Sequence, residues 1–412
     1  MNCEVIAVGT ELLLGQIVDT NSSWIGEQLA LAGIDSHHQV KVGDNFERMR
    51  AVLTQALERS DSVIMCGGLG PTQDDITREV IAATLGVKLV RRDDLVERIS
   101  AVFGGRGRAM PENNLRQADV PHGAEVLPVM PGTAPGFKVE SGAKAVYAVP
   151  GVPWEMQQMV GECVIGDLKQ RAGITAVIKS RTLRTWGDSE SGLAEKLHEE
   201  IQRLDETGEC TIAFLASGME GLKVRLTAKG PSEEAVDAIL ADEERIVRGI
   251  IGDIVFGIDD ETMESAVLDA LRRRGWTLAL AESLTGGLIG SRITAVAGAS
   301  DVFRGGVVSY AGDVKFDLLG VPEGRVVSEQ AVTAMARGAA KLLGADCAIA
   351  VTGVAGPDSL DGEAPGTVWM ATLVAGEVEA NRVVFPFDRE RTRQFTTVSV
   401  LNNLRVRILA SR

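Results

Sequence analysis

Short apolar runs alternate along the chain with longer segments whose apolar residues recur every three or four positions. Residues 3–9 read as a strand ending at Gly9-Thr10-Glu11, and a polar loop over 15–21 leads into a helix near 22–32. A strand over 36–42, a helix over 46–59, a strand over 61–66 and a helix over 74–85 follow. This alternation predicts a parallel sheet with helices on both faces, an α/β fold. Such sheets bind ligands beyond the carboxyl ends of their strands. Thr10, Glu11, Asp44 and the loop over 67–75 all fall there. Further on come a helix over 93–103, a Gly/Arg-rich break over 104–108, a tight turn over 130–137, a strand over 144–149 and a loop over 149–156 that opens another helix.

The pattern changes near residue 171. A strand over 179–186, a helix over 189–203, strands over 211–217 and 222–229 and a helix over 232–247 predict a small α+β unit. Residues 218–221 (GMEG) fit the GXXG loop with which KH modules grip RNA, but they lie between two strands and carry an acid. A plain hairpin is the better reading, and the unit is expected to be a spacer or a dimerisation element. The alternation restarts beyond 254, with a helix over 261–274, a buried strand over 277–281, a helix from about Leu288, a strand over 302–310, a helix over 328–343 and a strand over 347–351. The expected architecture is three domains, over 1–170, 171–253 and 254–412.

Charge and cysteine content narrow the function classes. With 412 residues and a net charge of −15, the chain is not expected to take nucleic acid as primary ligand through a strongly basic surface, a local basic patch staying open. Five scattered cysteines, mostly in apolar runs, suit a reducing compartment. No apolar run is long enough for a membrane span, so a cytoplasmic protein is expected.

Candidate chemistry begins at residues 66–77, CGGLGPTQDDIT, between a strand and a helix. Gly67, Gly68 and Gly70 let backbone amides approach a ligand, and Pro71 stiffens the turn. The amides and the helix N-terminus favour an anion. Asp74 and Asp75 would repel that anion unless a cation lay between, so the string suggests phosphate with Mg²⁺ or a similar divalent metal. A glycine turn with one Asp as N-cap accounts for part of the string only.

Five segments, over 8–21, 67–77, 113–118, 132–137 and 150–156, together resemble the amino-terminal domain of the CinA family (competence/damage-inducible protein A), itself similar to the molybdopterin-binding fold of MoaB and MogA proteins. The resemblance implies metal-dependent ADP-ribose pyrophosphatase activity. The implied substrate contacts are Thr10, Glu11, Asn21, Gly67, Gly68, Gly70, Thr72, Gly132, Thr133, Pro150 and Glu155, with Asp44, Asp74 and Asp75 as metal ligands. The segment over 128–130 (PVM) departs from the family, which usually carries Asn there. The unit over 171–253 resembles the KH-type middle domain of CinA proteins.

A second candidate centre is the string over 282–287, ESLTGG, on a strand-to-helix turn. This turn exposes nucleophilic serines in other hydrolases, and the amides after Ser283 could take an oxyanion or a phosphate; Ser283 could equally be an N-cap. Residues 254–412 contain no histidine and only two lysines, Lys315 and Lys341. A Ser-His-Asp triad within this domain is therefore impossible. A Ser283/Lys315 dyad assisted by Tyr310 is the conventional nucleophile system available, unless Glu282 serves as base. By position alone Lys315 would be an exposed helix lysine.

The strings AESLTGG, SYAGDVK, TGVAGPD, PGTVW and FDRERTR, in this order, resemble the PncC type of carboxy-terminal CinA domain. The resemblance implies hydrolysis of nicotinamide mononucleotide to nicotinic acid mononucleotide and ammonia, with no cofactor in this domain. It places catalysis at Ser283, Lys315 and Tyr310, and substrate contacts at Glu282, Thr285, Gly286, Gly287, Thr352, Gly353, Gly366, Thr367 and Arg389. The expected partners are small nucleotides and a second copy of the chain, a homodimer, with no membrane. Two alternatives stay open: one active domain only, or a non-enzymatic protein that binds a nucleotide or a molybdopterin-like ligand.

Overall fold

The computed structural model describes all residues except Arg106, Arg108, Ser217 and Arg412, and the Met219 side chain also lies outside the described set. The Gly/Arg-rich break over 104–108 and the last residue of the strand expected over 211–217 thus fall partly outside the described residues. The chain forms two compact units, Met1–Lys179 with Lys229–Val236, and Ser180–Ala228 with Asp237–Arg412.

The first unit is built on a six-stranded sheet. Strands Gln39–Val42, Cys3–Val8, Ser62–Cys66 and Lys144–Val149 run parallel in that spatial order, and Phe137–Ser141 and Glu125–Val126 add an antiparallel edge. Every residue of Cys3–Val8 and Ser62–Cys66 is buried, as strands covered on both faces must be. Successive residues divide between two apolar cores with period two. Val5, Ile64 and Tyr147 pack with Ile25 and Leu29 of helix Thr20–Leu31. Ile6, Met65 and Ala148 pack with Met49 and Leu53 of helix Phe46–Arg59 and with Val80 of helix Thr77–Leu85. That last helix starts at Thr77, so Asp74 and Asp75 precede it in the loop, where a helix start at residue 74 was expected.

The second unit holds one five-stranded sheet and most of a four-stranded one. Strands Cys210–Ala216, Leu222–Gly230, Val177–Thr185 and Val255–Ile258 form the four-stranded sheet. The segment over 218–221 closes the hairpin between the first two, and Glu220 pairs with Arg184 at 2.7 Å. The single helix expected over 189–203 is two, Glu190–Lys196 and His198–Thr207, broken at Leu197. In the five-stranded sheet, Phe303–Val308, Leu278–Glu282 and Cys347–Gly353 are parallel, and Thr367–Val374 and Glu377–Val384 continue antiparallel. One face carries the larger apolar core with Leu401 and Leu404 of helix Arg389–Ala410. The other is lined by Ala279, Ala281, Ala348 and Ala350 against helix Glu329–Leu343. Among the described residues no helix is long and apolar enough to cross a membrane.

One buried acid in this unit makes stability depend on pH. Glu243 is 3% exposed, and burial together with the Glu200 carboxylate pushes its pKa up to about 7, against the pull of Arg203 at 2.8 Å. An acid whose folded pKa is raised binds its proton more tightly in the fold. Its contribution is full below the ordinary value of 4.5 and is lost as pH rises through about 7. Glu243→Gln is expected to leave stability near wild type at pH 5 and to raise it by about 1–3 kcal/mol at pH 8. Urea midpoints at the two pH values check this; an equal change at both would contradict it.

Candidate active sites

The amino-terminal site starts from the way the glycine loop is pinned. Gly67 O accepts from Thr77 Oγ1 at 2.8 Å, Gly68 O from Thr77 N at 3.2 Å, and Leu69 O from Arg78 at 2.7 Å and Gln117 at 3.1 Å. In a planar trans peptide the next residue's N–H points opposite to the carbonyl. The amides of Gly68, Leu69 and Gly70 therefore face away from the helix start, and none has an acceptor among the described residues. Three such N–H groups in series form a concave anion nest. Glycine is required here: Gly67 has φ 111°, and a Cβ on it would lie 2.4 Å from Val8 O.

The nest opens into a cleft of about 550 Å³ lined by Glu11, Gly67, Gly68, Gly70, Asp75, Gln117, Thr133, Pro150 and Glu155, among others. Gly132 borders it from behind, since a Cβ there would lie 2.2 Å from a Glu155 carboxylate oxygen. Asn21 lines an adjoining pocket of about 130 Å³. Thr72 is exposed and donates its amide to Asp75 at 2.9 Å, with its hydroxyl on the same oxygen.

The expected metal ligands do not gather. The Asp44 carboxylate accepts from Thr10 N at 2.8 Å and Thr10 Oγ1 at 2.9 Å, so both side chains serve to close the short helix Thr10–Leu13 onto the next loop. Asp74 is exposed and is not part of the cleft lining. Among the described residues no three His, Cys, Asp or Glu side chains form a metal cluster. Asp75 lines the cleft with Glu11 and Glu155. That donor set fits a hard cation that takes one or two carboxylates and completes its shell with substrate phosphate and water. The segment over 128–130 turns inward: Val129 and Met130 pack against the apolar cores.

Beneath the nest lies a group that pattern reading missed. Arg78 is 1% exposed and also donates to Gly70 O at 2.9 Å. Burial lowers its pKa, while Glu79 and Asp75 pull the other way and Arg116 adds to the lowering. Arg116 holds the Asp75 carbonyl at 3.3 Å and the Glu79 carboxylate at 2.9 Å. Two guanidinium groups thus bed the loop carbonyls and leave its amides to the cleft. No spacing rule marks these arginines, because they act through backbone carbonyls.

The second site is set by strand register. Glu282 lies level with Val308 on one side and Val351 on the other, all in parallel strands. Ser283, Ser309 and Thr352 therefore follow side by side at three strand ends. Ser283 N donates to Val351 O at 3.1 Å and Ser309 N to Glu282 O at 2.8 Å. Lys315, on helix Gly312–Leu319, is 1% exposed and not an exposed helix lysine. Its Nζ donates to Ser309 O at 2.7 Å and Tyr310 O at 3.3 Å, which brings it to the strand end beside Ser283. No carboxylate pairs with it among the described residues. Burial pushes its pKa down, opposed by Asp313 and Asp361. Lys341 is exposed.

Two expected roles are corrected. The Glu282 carboxylate accepts from Gly287 N at 3.0 Å, Ile289 N at 3.1 Å and Gly290 N at 2.8 Å. It holds the turn on the first amides of helix Leu288–Thr294, which leaves it neither a substrate contact nor a base. Tyr310 is 59% exposed, and its hydroxyl accepts from Arg389 at 2.7 Å, so it does not bridge Ser283 and Lys315. Lysine reaches the tyrosine's backbone while the ring turns outward to the arginine.

The amide of Gly286 donates to Ser283 O at 3.0 Å and that of Gly287 is held by Glu282, so the turn amides of Leu284 and Thr285 remain without acceptors among the described residues. Thr285 is fully buried with its hydroxyl unpartnered, and its carbonyl accepts from Arg393 at 2.7 Å. Arg389 also donates to Gly356 O at 2.8 Å. Thr352 Oγ1 donates to Val326 O at 2.7 Å. Gly353, Gly366 and Thr367 are backbone partners that fold the loop after strand Cys347–Gly353: Gly366 N donates to Val354 O at 2.7 Å and Val354 N to Thr367 O at 2.8 Å. Ser309 was not anticipated; the residue after each parallel strand is the signal that would have found it.

A glycine-loop α/β unit followed by a serine-turn α/β sheet defines the class of protein. Three family models match in succession: a probable molybdopterin binding domain over residues 4–170, the damage-inducible protein CinA KH domain over 180–257, and the CinA C-terminal domain over 260–408. A CinA-like protein of Frankia casuarinae is 45% identical over 100% of this chain and 96% of its own length. One of Gloeobacter violaceus is 42% identical over 99% and 97%. A crystal structure of the protein CinA, of unknown function, from Thermoplasma acidophilum is 35% identical with a TM-score of 0.38, covering 40% of this chain and 99% of that one. The chain belongs to the CinA family.

Proposed function

We propose that the serine turn hydrolyses the amide of nicotinamide mononucleotide and that the amino-terminal cleft cleaves the pyrophosphate of ADP-ribose. The observation that carries the first reading is Lys315, buried at the strand end beside Ser283 with no carboxylate paired to it among the described residues. A buried lysine that is partly neutral at working pH can take a serine proton. Ser283 Oγ attacks the amide carbon as its proton passes to Lys315 Nζ. The turn amides of Leu284 and Thr285 are the donors still free for the oxyanion. Lys315 returns the proton to the leaving nitrogen, the C–N bond breaks and ammonia departs. Water then cleaves the acyl-serine with Lys315 as base, giving nicotinic acid mononucleotide. Arg389, steadied by Tyr310, supplies charge for the phosphate. Ammonia release from a panel of pyridine nucleotides, in EDTA, tests this; dependence on added metal would overturn the metal-free route.

In the amino-terminal cleft Asp75 would be the carboxylate that holds a divalent cation together with pyrophosphate oxygens and water. Such a cation supplies Lewis-acid charge to the phosphoryl group. Asp75→Asn is expected to lower ADP-ribose hydrolysis by roughly 10²-fold or more, above the effect of outer-sphere changes, and to leave ammonia release unchanged. Hydrolysis at the wild-type rate would mean the carboxylate has been misread. The description of the matched family, a probable molybdopterin binding domain, favours a second reading, a cleft that binds without turnover. It predicts that the wild type takes up ADP-ribose and releases no AMP.

A further inference from the structure

A cavity of about 540 Å³ in the second unit shares no lining residue with either candidate active site. Its size lies within the roughly 300–1,000 Å³ of sites that hold a whole small ligand. Trp186, which follows strand Val177–Thr185, lines it with Phe385, and Phe395 and Ser399 join them from one helical turn of Arg389–Ala410. Aromatic residues make up only 4% of the chain, yet Phe387 and these three rings gather in one cluster. Trp186 and Phe395 lie 5.8 Å apart between ring centroids, Phe385 and Phe395 6.1 Å, and Phe387 and Phe395 4.6 Å. Trp186 and Phe385 also pack on the larger apolar core, but all four rings stay only half-buried. Gly221, at φ 86°, shapes the opposite wall: a Cβ there would lie 2.2 Å from Thr185 O and 3.1 Å from Trp186 Cε3, so the hairpin turn can close on the indole only as glycine.

The polar side chains of the lining divide into engaged and open ones. Asp188 accepts from Lys196 at 2.7 Å and from Ser189 N at 2.8 Å, and the hydrogen bond from Lys196 holds its carboxyl below the usual carboxylate range. Ser189 Oγ accepts from Gly192 N at 3.1 Å and shares a hydrogen bond with Ser191. Trp186 Nε1 and Ser399 Oγ have no partner among the described residues. The indole N–H can only donate, and a hydroxyl can donate as well. No lysine or arginine lines the cavity; Arg391 lies over Phe387, 5.0 Å from its centroid, outside the lining. Glycines, Ala216 and Leu222 make up the rest. The cavity thus presents aromatic walls, two open donors and one ionised acid whose cation is already taken.

From this juxtaposition we propose that the cavity is a further ligand site, taking a flat heteroaromatic ring that carries an acceptor atom and no negative charge. The ring packs offset or edge-on against Trp186 and Phe395, the arrangements aromatic pairs prefer. Its acceptor atom takes the Trp186 N–H or the Ser399 hydroxyl. A carboxylate or phosphate on the same ligand would face Asp188 with no lining cation to offset the repulsion. The inference does not depend on the chemistry proposed for the serine turn or for the glycine-loop cleft.

Calorimetry of the full chain with two probes tests it: isoquinoline, a neutral ring with one acceptor nitrogen, and isoquinoline-3-carboxylate, the same ring with a negative charge. Wild type should bind isoquinoline about tenfold more tightly than the carboxylate. Trp186→Phe keeps an aromatic ring in the wall and removes the N–H, so it should weaken isoquinoline about fivefold, the worth of one hydrogen bond. Ser399→Phe fills the cavity from the helix side and should abolish binding. Should that variant fail to fold, Trp186→Phe decides. Equal affinity for the two probes, unchanged affinity in Trp186→Phe, or binding kept in a folded Ser399→Phe would overturn the inference, because isoquinoline would then be bound elsewhere. So would absence of binding to wild type up to the solubility limit of the probe. If neither probe binds and Ser399→Phe dissociates a wild-type dimer, the cavity belongs to a second copy of the chain and the inference fails.

Discussion

Lys315→Ala is expected to lower kcat for nicotinamide mononucleotide by roughly 10³–10⁴-fold, the upper range for removal of a general base. Ser283→Ala should lose at least as much, and the double variant little more than either, because a nucleophile and its base act as one unit. Burial lowers the pKa of Lys315, so kcat/KM should rise with pH along a limb below the ordinary lysine range. Asp313 and Asp361 pull that pKa back up; Asp313→Asn should therefore move the limb to lower pH. Tyr310→Phe should raise KM more than it lowers kcat, since the hydroxyl bonds Arg389 and not the dyad. Near-wild-type turnover by Lys315→Ala would refute the dyad. Glu282 could not replace it as base without giving up three amide hydrogen bonds.

The second large effect concerns Arg78. Arg78→Met strips the carbonyls of Leu69 and Gly70 of charged donors in a buried setting, a loss of about 2–4 kcal/mol in stability. With the Leu69 carbonyl left to Gln117 alone, the Gly70 amide in the same peptide is held less firmly toward the cleft. Pyrophosphate affinity should fall about tenfold or more, and Arg78→Lys should recover only part of it, because one ammonium cannot reproduce a planar fork. Ammonia release should not change. Calorimetry with pyrophosphate checks this; wild-type affinity in Arg78→Met would show that the nest does not depend on the buried guanidinium.

Where pattern reading succeeded, it did so because burial writes itself into composition. Residues 62–66 and 278–282 are apolar runs bounded by glycine turns, and both are fully buried parallel strands. The edge strand Glu377–Val384 escaped notice because its residues alternate charged and apolar on an exposed edge. Lys315 shows the limit at the site. Its neighbours Asp313 and Asp317 make the helix look solvated, yet the lysine turns inward to carbonyls that only the fold supplies. Asp44 and Glu282 show the converse. Their types suited a metal or a base, but the Asp44 carboxylate is taken by the amide and hydroxyl of Thr10, 34 residues away, and that of Glu282 by the amides of the helix that follows it, arrangements invisible to spacing.

The most direct test of the serine–lysine account is mass spectrometry of the full chain mixed rapidly with nicotinamide mononucleotide and quenched in acid. The account predicts an acyl adduct of the nucleotide minus ammonia on the peptide that carries Ser283, with ammonia released in step and neither seen in Ser283→Ala. Ammonia release by Ser283→Ala at the wild-type rate, with no adduct in either protein, would contradict it.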